Sequence, residues 1–215
     1  MIKNLSGENS ILQQYIAEIR DVEVQNDSMR FRRNLERIGE IFAYEISKEL
    51  PYVNKETTTP LGVAISNVLE KPPVLATILR AGIPLHQGML NIFDQAENAF
   101  ISAYRKSKKD GSFEVHVEYM ASPEITNKDL IICDPMLATG KSMELAFKAI
   151  KERGVPRKIH VVAIIASQEA LDEVVEKFPV GTKFWIGAID EELTAESYIV
   201  PGLGDAGDLA YGSKK

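Results

Sequence analysis

Apolar positions along this chain follow two alternating rhythms. Over residues 29–50, Leu35, Ile38, Ile41, Phe42, Ile46 and Leu50 recur at spacings that fill one face of a long amphipathic helix. Asp27 or Ser28 stands where a cap belongs, and Pro51 follows the end. Beyond it, short apolar runs of strand length appear at 74–79, 97–104, 129–133, 158–166 and 182–189. Helical spacing returns between them, at 83–93, 141–153 and 168–178. Residues 112–120 alternate Phe113, Val115, Val117 and Tyr119 with polar neighbours, the pattern of a strand with one wet face. Residues 10–26 are mixed and predict an N-terminal strand or arm. From 194 to 212 the chain is Gly-rich, with little periodicity. Strands alternating with helices imply an α/β fold, a mostly parallel central sheet flanked by helices on both faces.

Composition narrows the picture. A chain of 215 residues, 45% hydrophobic and 26% charged, suits one soluble domain with a sizeable core. We therefore expect a single domain over 1–215. Its N-terminal arm and helix reach to about residue 55, and 194–212 form a separate functional loop. A net charge of −6 argues against coating nucleic acid. There is no apolar run long enough for a membrane span and no signal pattern, so a cytoplasmic enzyme is expected. The one cysteine, Cys133, lies inside an apolar run and reads as a buried structural thiol. His86, His116 and His160 show no metal-ligand spacing, which argues against a zinc site.

The densest information lies in residues 130–142, Leu-Ile-Ile-Cys-Asp-Pro-Met-Leu-Ala-Thr-Gly-Lys-Ser. An apolar strand ends at Asp134, a turn follows, and Gly140-Lys141-Ser142 opens a helix. Loop N–H groups and the positive helix end then converge on one point, a seat for phosphate. Thr139 and Ser142 add hydroxyl donors, and Asp134 stands where α/β sheets place ligand-binding groups. Gly-Lys-Ser also ends an ATPase phosphate loop, but that motif needs glycine five residues before Gly140, and position 135 is proline.

Two further constellations stand out. Tyr198-Ile-Val-Pro-Gly-Leu-Gly-Asp-Ala-Gly-Asp208 lets a ligand approach the backbone closely, where main-chain donors and acceptors match the edge of a pyrimidine. Arg80, at a strand end before Ala81-Gly82, can aim its planar guanidinium at a phosphate.

Strand, acid, short loop, Thr-Gly and hydroxyl resemble the phosphoribosyl pyrophosphate (PRPP) signature of type I phosphoribosyltransferases. Asp134-Pro-Met-Leu-Ala-Thr-Gly140 and the 198–208 tail resemble the uracil branch. The likeness runs from about Ile78 to the C-terminus.

The resemblance implies transfer of the phosphoribosyl group of PRPP to uracil, giving UMP and pyrophosphate. It implies Mg²⁺ as cofactor and a homodimer or larger homo-oligomer. Arg80 and Arg105 would grip the pyrophosphate. Asp134, Pro135, Met136, Leu137, Ala138, Thr139, Gly140, Lys141 and Ser142 would hold PRPP. Ile199, Gly204, Asp205 and Ala206 would contact uracil, with Asp205 also near PRPP and its Mg²⁺. Asp134, Arg80, Arg105 and Asp205 would be the catalytic set.

Three departures from the family matter. Pro135 replaces a second acid found in most members, so Mg²⁺ must rely largely on substrate oxygens and water. Lys106-Ser107-Lys108-Lys109 replaces acidic residues after Arg105, in a stretch (106–112) that reads as a flap. Lys141 replaces glycine and is expected to raise PRPP affinity modestly by meeting the 5′-phosphate. Some members respond to GTP, but no residue here assigns such a site. A purine or orotate enzyme is disfavoured, because 198–208 carries no cation for orotate's carboxylate. The competing class is a regulatory protein of the same fold that binds RNA, which the acidic composition argues against.

Overall fold

The computed structural model describes residues 1–107 and 113–213, with the side chains of 104–107 and 113–116 set aside. Residues 108–112 of the expected 106–112 flap, and the side chains of Arg105, Lys106 and Ser107, lie outside the described residues.

The elements run β1 (Ile2–Asn4), α1 (Ile11–Arg20), α2 (Ser28–Ser47), β2 (Tyr52–Thr59), β3 (Gly62–Leu69), β4 (Val74–Leu79), α3 (Ile83–Ile92), β5 (Glu97–Ser107) and β6 (Phe113–Ala121). They continue as β7 (Asp129–Leu137), α4 (Lys141–Ile150), β8 (Lys158–Ser167), α5 (Gln168–Lys177), β9 (Lys183–Asp190), β10 (Glu192–Leu193), β11 (Ile199–Val200) and α6 (Ala206–Tyr211). Among the described residues the central sheet has seven strands, ordered β1-β9-β8-β7-β4-β5-β6. Its pairings are parallel except that of β5 with β6.

Both faces are covered, as the alternation of strands and helices predicts. In β7, Ile131 and Cys133 join the core beneath α1, α2, α3 and α6, while Leu130 and Ile132 join the core beneath α4 and α5. A strand buried on both faces has no polar side to alternate, which explains its continuous apolar run. The long helix predicted over 29–50 is α2. The Asp27 carboxylate caps it by accepting from the N–H groups of Met29 and Arg30.

Four expectations need correction. The arm or strand expected over 10–26 is the helix α1, whose Leu12, Ile16 and Ile19 are buried. β7 does not turn after Asp134 but runs on to Leu137. The 194–212 tail is not wholly irregular, since it holds β11 and the six-residue α6. The pattern of apolar positions assigns nothing to 52–69, where β2 and β3 form a hairpin.

Cys133 is buried, and burial pushes its thiol up to about 12, which fits the structural role. His160, on β8, is fully buried, and its Nδ1 accepts from Trp185 Nε1 at 3.0 Å. Burial holds the imidazole down at about 4. The unfolded chain takes up this proton near pH 6.5, whereas the folded chain resists it until about pH 4. Stability from this group is complete above pH 6.5 and is lost as pH falls toward 4, by about 3 kcal/mol at 1.36 kcal/mol per unit. His160→Asn should lose less stability than the wild-type chain between pH 7 and pH 4.5. Urea unfolding followed by the lone Trp185 measures this, and equal losses would refute it.

Candidate active site

Strands β4 and β7 pair from Val74↔Leu130 to Thr77↔Cys133 and then part. β7 keeps its β8 partner as far as Leu137↔Ala166. From β4 the chain crosses through α3 to β5 on one side. From β7 it crosses through α4 to β8 on the other. This reversal leaves a crevice at the carboxyl ends of the two strands, where open α/β sheets bind ligands. It also explains Pro135. Past Cys133 the β4 side of β7 is an edge, so a residue without an N–H leaves no ladder bond unmade.

A cleft of about 660 Å³ occupies this crevice. Arg80 stands on one wall at the end of β4, and Asp134, Met136 and Leu137 line the wall from β7. The floor continues through Ala138, Thr139, Gly140 and Ser142, and the roof is built by Gly204, Asp205 and Ala206. Residues far apart in sequence are thus brought to one place. Three others singled out from the sequence lie off the walls. Pro135 is buried in β7, Ile199 packs at 3% exposure in the core under the loop, and Lys141 is exposed at the start of α4. Glu196, Ser197 and Tyr198 also line the cleft. Glu196 and Ser197 carried no sequence signal, because they stand in a polar stretch.

The turn into α4 is set by Gly140, whose φ is +72°. A Cβ there would sit 2.2 Å from Val174 Cγ2 on α5, so conformation and packing both select glycine. The Ser167 hydroxyl donates to the Ala138 carbonyl at 2.7 Å and fixes the loop against β8. No side chain caps α4, as none caps α1 or α3, whereas α2, α5 and α6 each carry one. Because Gly140 and Ser142 line the cleft, the first N–H groups of this helix are placed to suit a phosphate.

The roof is tied down at both ends. Asp205 caps α6 by accepting from the Asp208 N–H at 2.9 Å. Arg80 Nη2 donates to Asp208 Oδ1 at 3.2 Å and to the Gly212 carbonyl at 3.1 Å. The Met136 N–H donates to Asp134 Oδ1 at 3.5 Å.

A mostly parallel sheet with a helix turn on the cleft, an acid at the strand end and an arginine opposite is the arrangement of a type I phosphoribosyltransferase. The uracil phosphoribosyltransferase family model matches residues 6–213. A curated uracil phosphoribosyltransferase from Porphyromonas gingivalis is 57% identical over 211 residues, 98% of each chain. Among solved structures, the AQ2163 protein of Aquifex aeolicus is 32% identical, with a TM-score of 0.88 and coverage of 99% of this chain and 98% of that one. A hypoxanthine phosphoribosyltransferase from Staphylococcus aureus shares the fold at 15% identity, with a TM-score of 0.51, covering 86% of this chain and 83% of that one. The chain belongs to the uracil phosphoribosyltransferase family.

Proposed function

We infer that this protein transfers the phosphoribosyl group of PRPP to uracil, forming UMP and pyrophosphate. The observation that carries the reading is the joining, in one cleft, of an uncapped helix turn with a glycine-rich roof. The first suits a 5′-phosphate, the second a small flat base. In the reaction a bond forms between uracil N1 and the anomeric carbon. The bond to pyrophosphate breaks, and N1 gives up its proton.

Loop 138–142 holds the 5′-phosphate away from the reacting carbon, so binding there positions the ribose and lowers the entropic barrier. Asp134 accepts from the ribose hydroxyls and favours the positive charge that develops on the sugar. Arg80 must turn from Asp208 and Gly212 toward the pyrophosphate, where its charge stabilises the leaving group. Arg105 is read as its partner. Backbone groups of 204–206 recognise the uracil edge.

The residues present suit Mg²⁺ carried in on the substrate. Asp134 and Asp205 line one cleft, yet no cluster of three or more metal-ligating side chains occurs among the described residues. Mg²⁺ characteristically binds one or two carboxylates plus substrate phosphates and keeps several waters. When bound, it neutralises charge on the departing pyrophosphate.

Asp205 is the group read as assisting N1 deprotonation, directly or through water. Asparagine also caps helices, so Asp205→Asn removes the charge without unwinding α6. Turnover should fall by about a hundredfold, the scale of a lost acid–base group, with a smaller change in PRPP binding. Steady-state kinetics beside PRPP titration test this, and equal effects on both would remove the role.

The β2–β3 hairpin is exposed along most of its length, including Leu61, Val63 and Ile65, and isolated hairpins are marginal in water. We read it as packing on a second copy of the chain, in a homodimer or larger assembly. Sedimentation of the protein with Val63 and Ile65 changed to serine would show the assembly weaken.

The test of the function itself is UMP formation from uracil and PRPP with and without Mg²⁺, beside cytosine, orotate, adenine and hypoxanthine. Uracil-selective, Mg²⁺-dependent turnover is expected. PRPP binding without turnover on any base would refute it.

A further inference from the structure

One ion pair outside the cleft grips the segment that leads into its roof. Arg20 is the last residue of α1 and Asp190 the last of β9. The guanidinium meets the carboxylate with both forks, Nη1 to Oδ2 and Nη2 to Oδ1, each at 2.8 Å. The same pair grips both main-chain polar groups of Gly202 in the roof segment. Arg20 Nη1 donates to the Gly202 carbonyl at 3.0 Å, and the Gly202 N–H donates to Asp190 Oδ2 at 2.9 Å. Asp190 is 7% exposed as a side chain and Arg20 21%, so water competes weakly for these bonds.

Asp190 thereby closes a loop on itself. The chain leaves the sheet at Asp190, forms the small β10–β11 pair, and returns to the same carboxylate at Gly202. Glu196, Ser197 and Tyr198 stand on the cleft inside this loop, and Gly204, Asp205 and Ala206 stand just beyond its neck. Gly202 is buried with φ +56°, and a Cβ there would lie 2.0 Å from the Ile199 carbonyl oxygen. The neck thus requires glycine, and the fork bonds its main chain on both sides.

We propose that Arg20 and Asp190 are positioning residues for the uracil-binding wall: they fix the main chain on both sides of Gly202 and through it the backbone groups of 204–206. The proposal rests on the reading of that wall as the base site. Recognition by backbone groups depends on placing them within about half an ångström. Neither residue touches the cleft, and the effect passes through the neck alone.

Arg20→Lys keeps a cation beside Asp190 but loses the planar fork that reaches the carboxylate and the carbonyl together. The KM for uracil should rise about tenfold, the scale of one lost charge-assisted hydrogen bond, with KM for PRPP and the thermal midpoint nearly unchanged. Asp190→Asn, which retains an acceptor for Gly202 N–H, should raise the same constant and leave PRPP alone. A lowered midpoint with both KM values unchanged would reduce the pair to a structural role and overturn the proposal. Equal rises in both KM values would also overturn it. Ala206→Val serves as the control. If it leaves the uracil KM unchanged, the base-wall reading is at fault. If it raises that KM while Arg20→Lys does not, the clamp alone has failed.

Discussion

Replacing Arg80 by methionine should lower kcat/KM for PRPP by about a thousandfold while leaving the fold intact, since removing one donor aimed at developing charge costs a factor of 10²–10³. Arg80 is the described cation on the cleft wall at the β4 end. The pyrophosphate leaves with concentrated negative charge, and a neutral thioether cannot offset it. The folding cost is small because the ion pair with Asp208 is 40% and 37% exposed in its two side chains, and such pairs contribute about 0–1 kcal/mol. Arg80→Lys should recover part of the activity, because lysine supplies the charge without the bidentate fork. Steady-state kinetics and a thermal midpoint decide the matter. A loss below about tenfold, short of the usual factor for such a donor, would remove Arg80 from the charge-stabilising set.

Gly140→Ala should disable the phosphate loop and destabilise the fold together. Alanine in a left-handed conformation costs about 1 kcal/mol. The new Cβ would sit 2.2 Å from Val174 Cγ2, and overpacking of that kind adds about 1–3 kcal/mol. The loop must move to relieve the contact, carrying the N–H groups of α4 off their target. A misplacement of about 1 Å costs on the order of a hundredfold in rate. Val174→Ala in the same chain removes the clashing methyl but not the backbone strain. The double variant should therefore be more stable than the two single losses sum to, a coupling that a double-mutant cycle measures directly. Simple additivity would mean that the Val174 contact is not the cause.

The phosphate turn was legible because its determinants are local. A buried strand, a glycine and hydroxyls within a few residues leave a contiguous signature in 130–142. α2 was legible for the same reason, since its stripe repeats over twenty residues. α1 does carry Leu12, Ile16 and Ile19 at helical spacing, but the helix ends at Arg20 and the mixed, polar residues up to 26 belong to no element, so the stretch taken whole shows no single period. α6 is too short to show a period. The β2–β3 hairpin has no buried face, and without one nothing forces its apolar residues to alternate. The apolar run stops short of Asp134, yet β7 continues to Leu137, past the point where its β4 neighbour has left.

By itself the sequence determined most of the core strands and helices, α1 apart, the strand–turn–helix around Gly140, and the kind of ligand that turn accepts. The meeting of Arg80, Asp134 and Asp205 was decided by the order of strands in the sheet, which sets β4 beside β7 and folds the tail over both. Arg20 and Asp190 join across 170 positions, and Arg80 and Asp208 across 128. Bonds at such separations follow from packing many elements at once and leave no periodic trace along the chain.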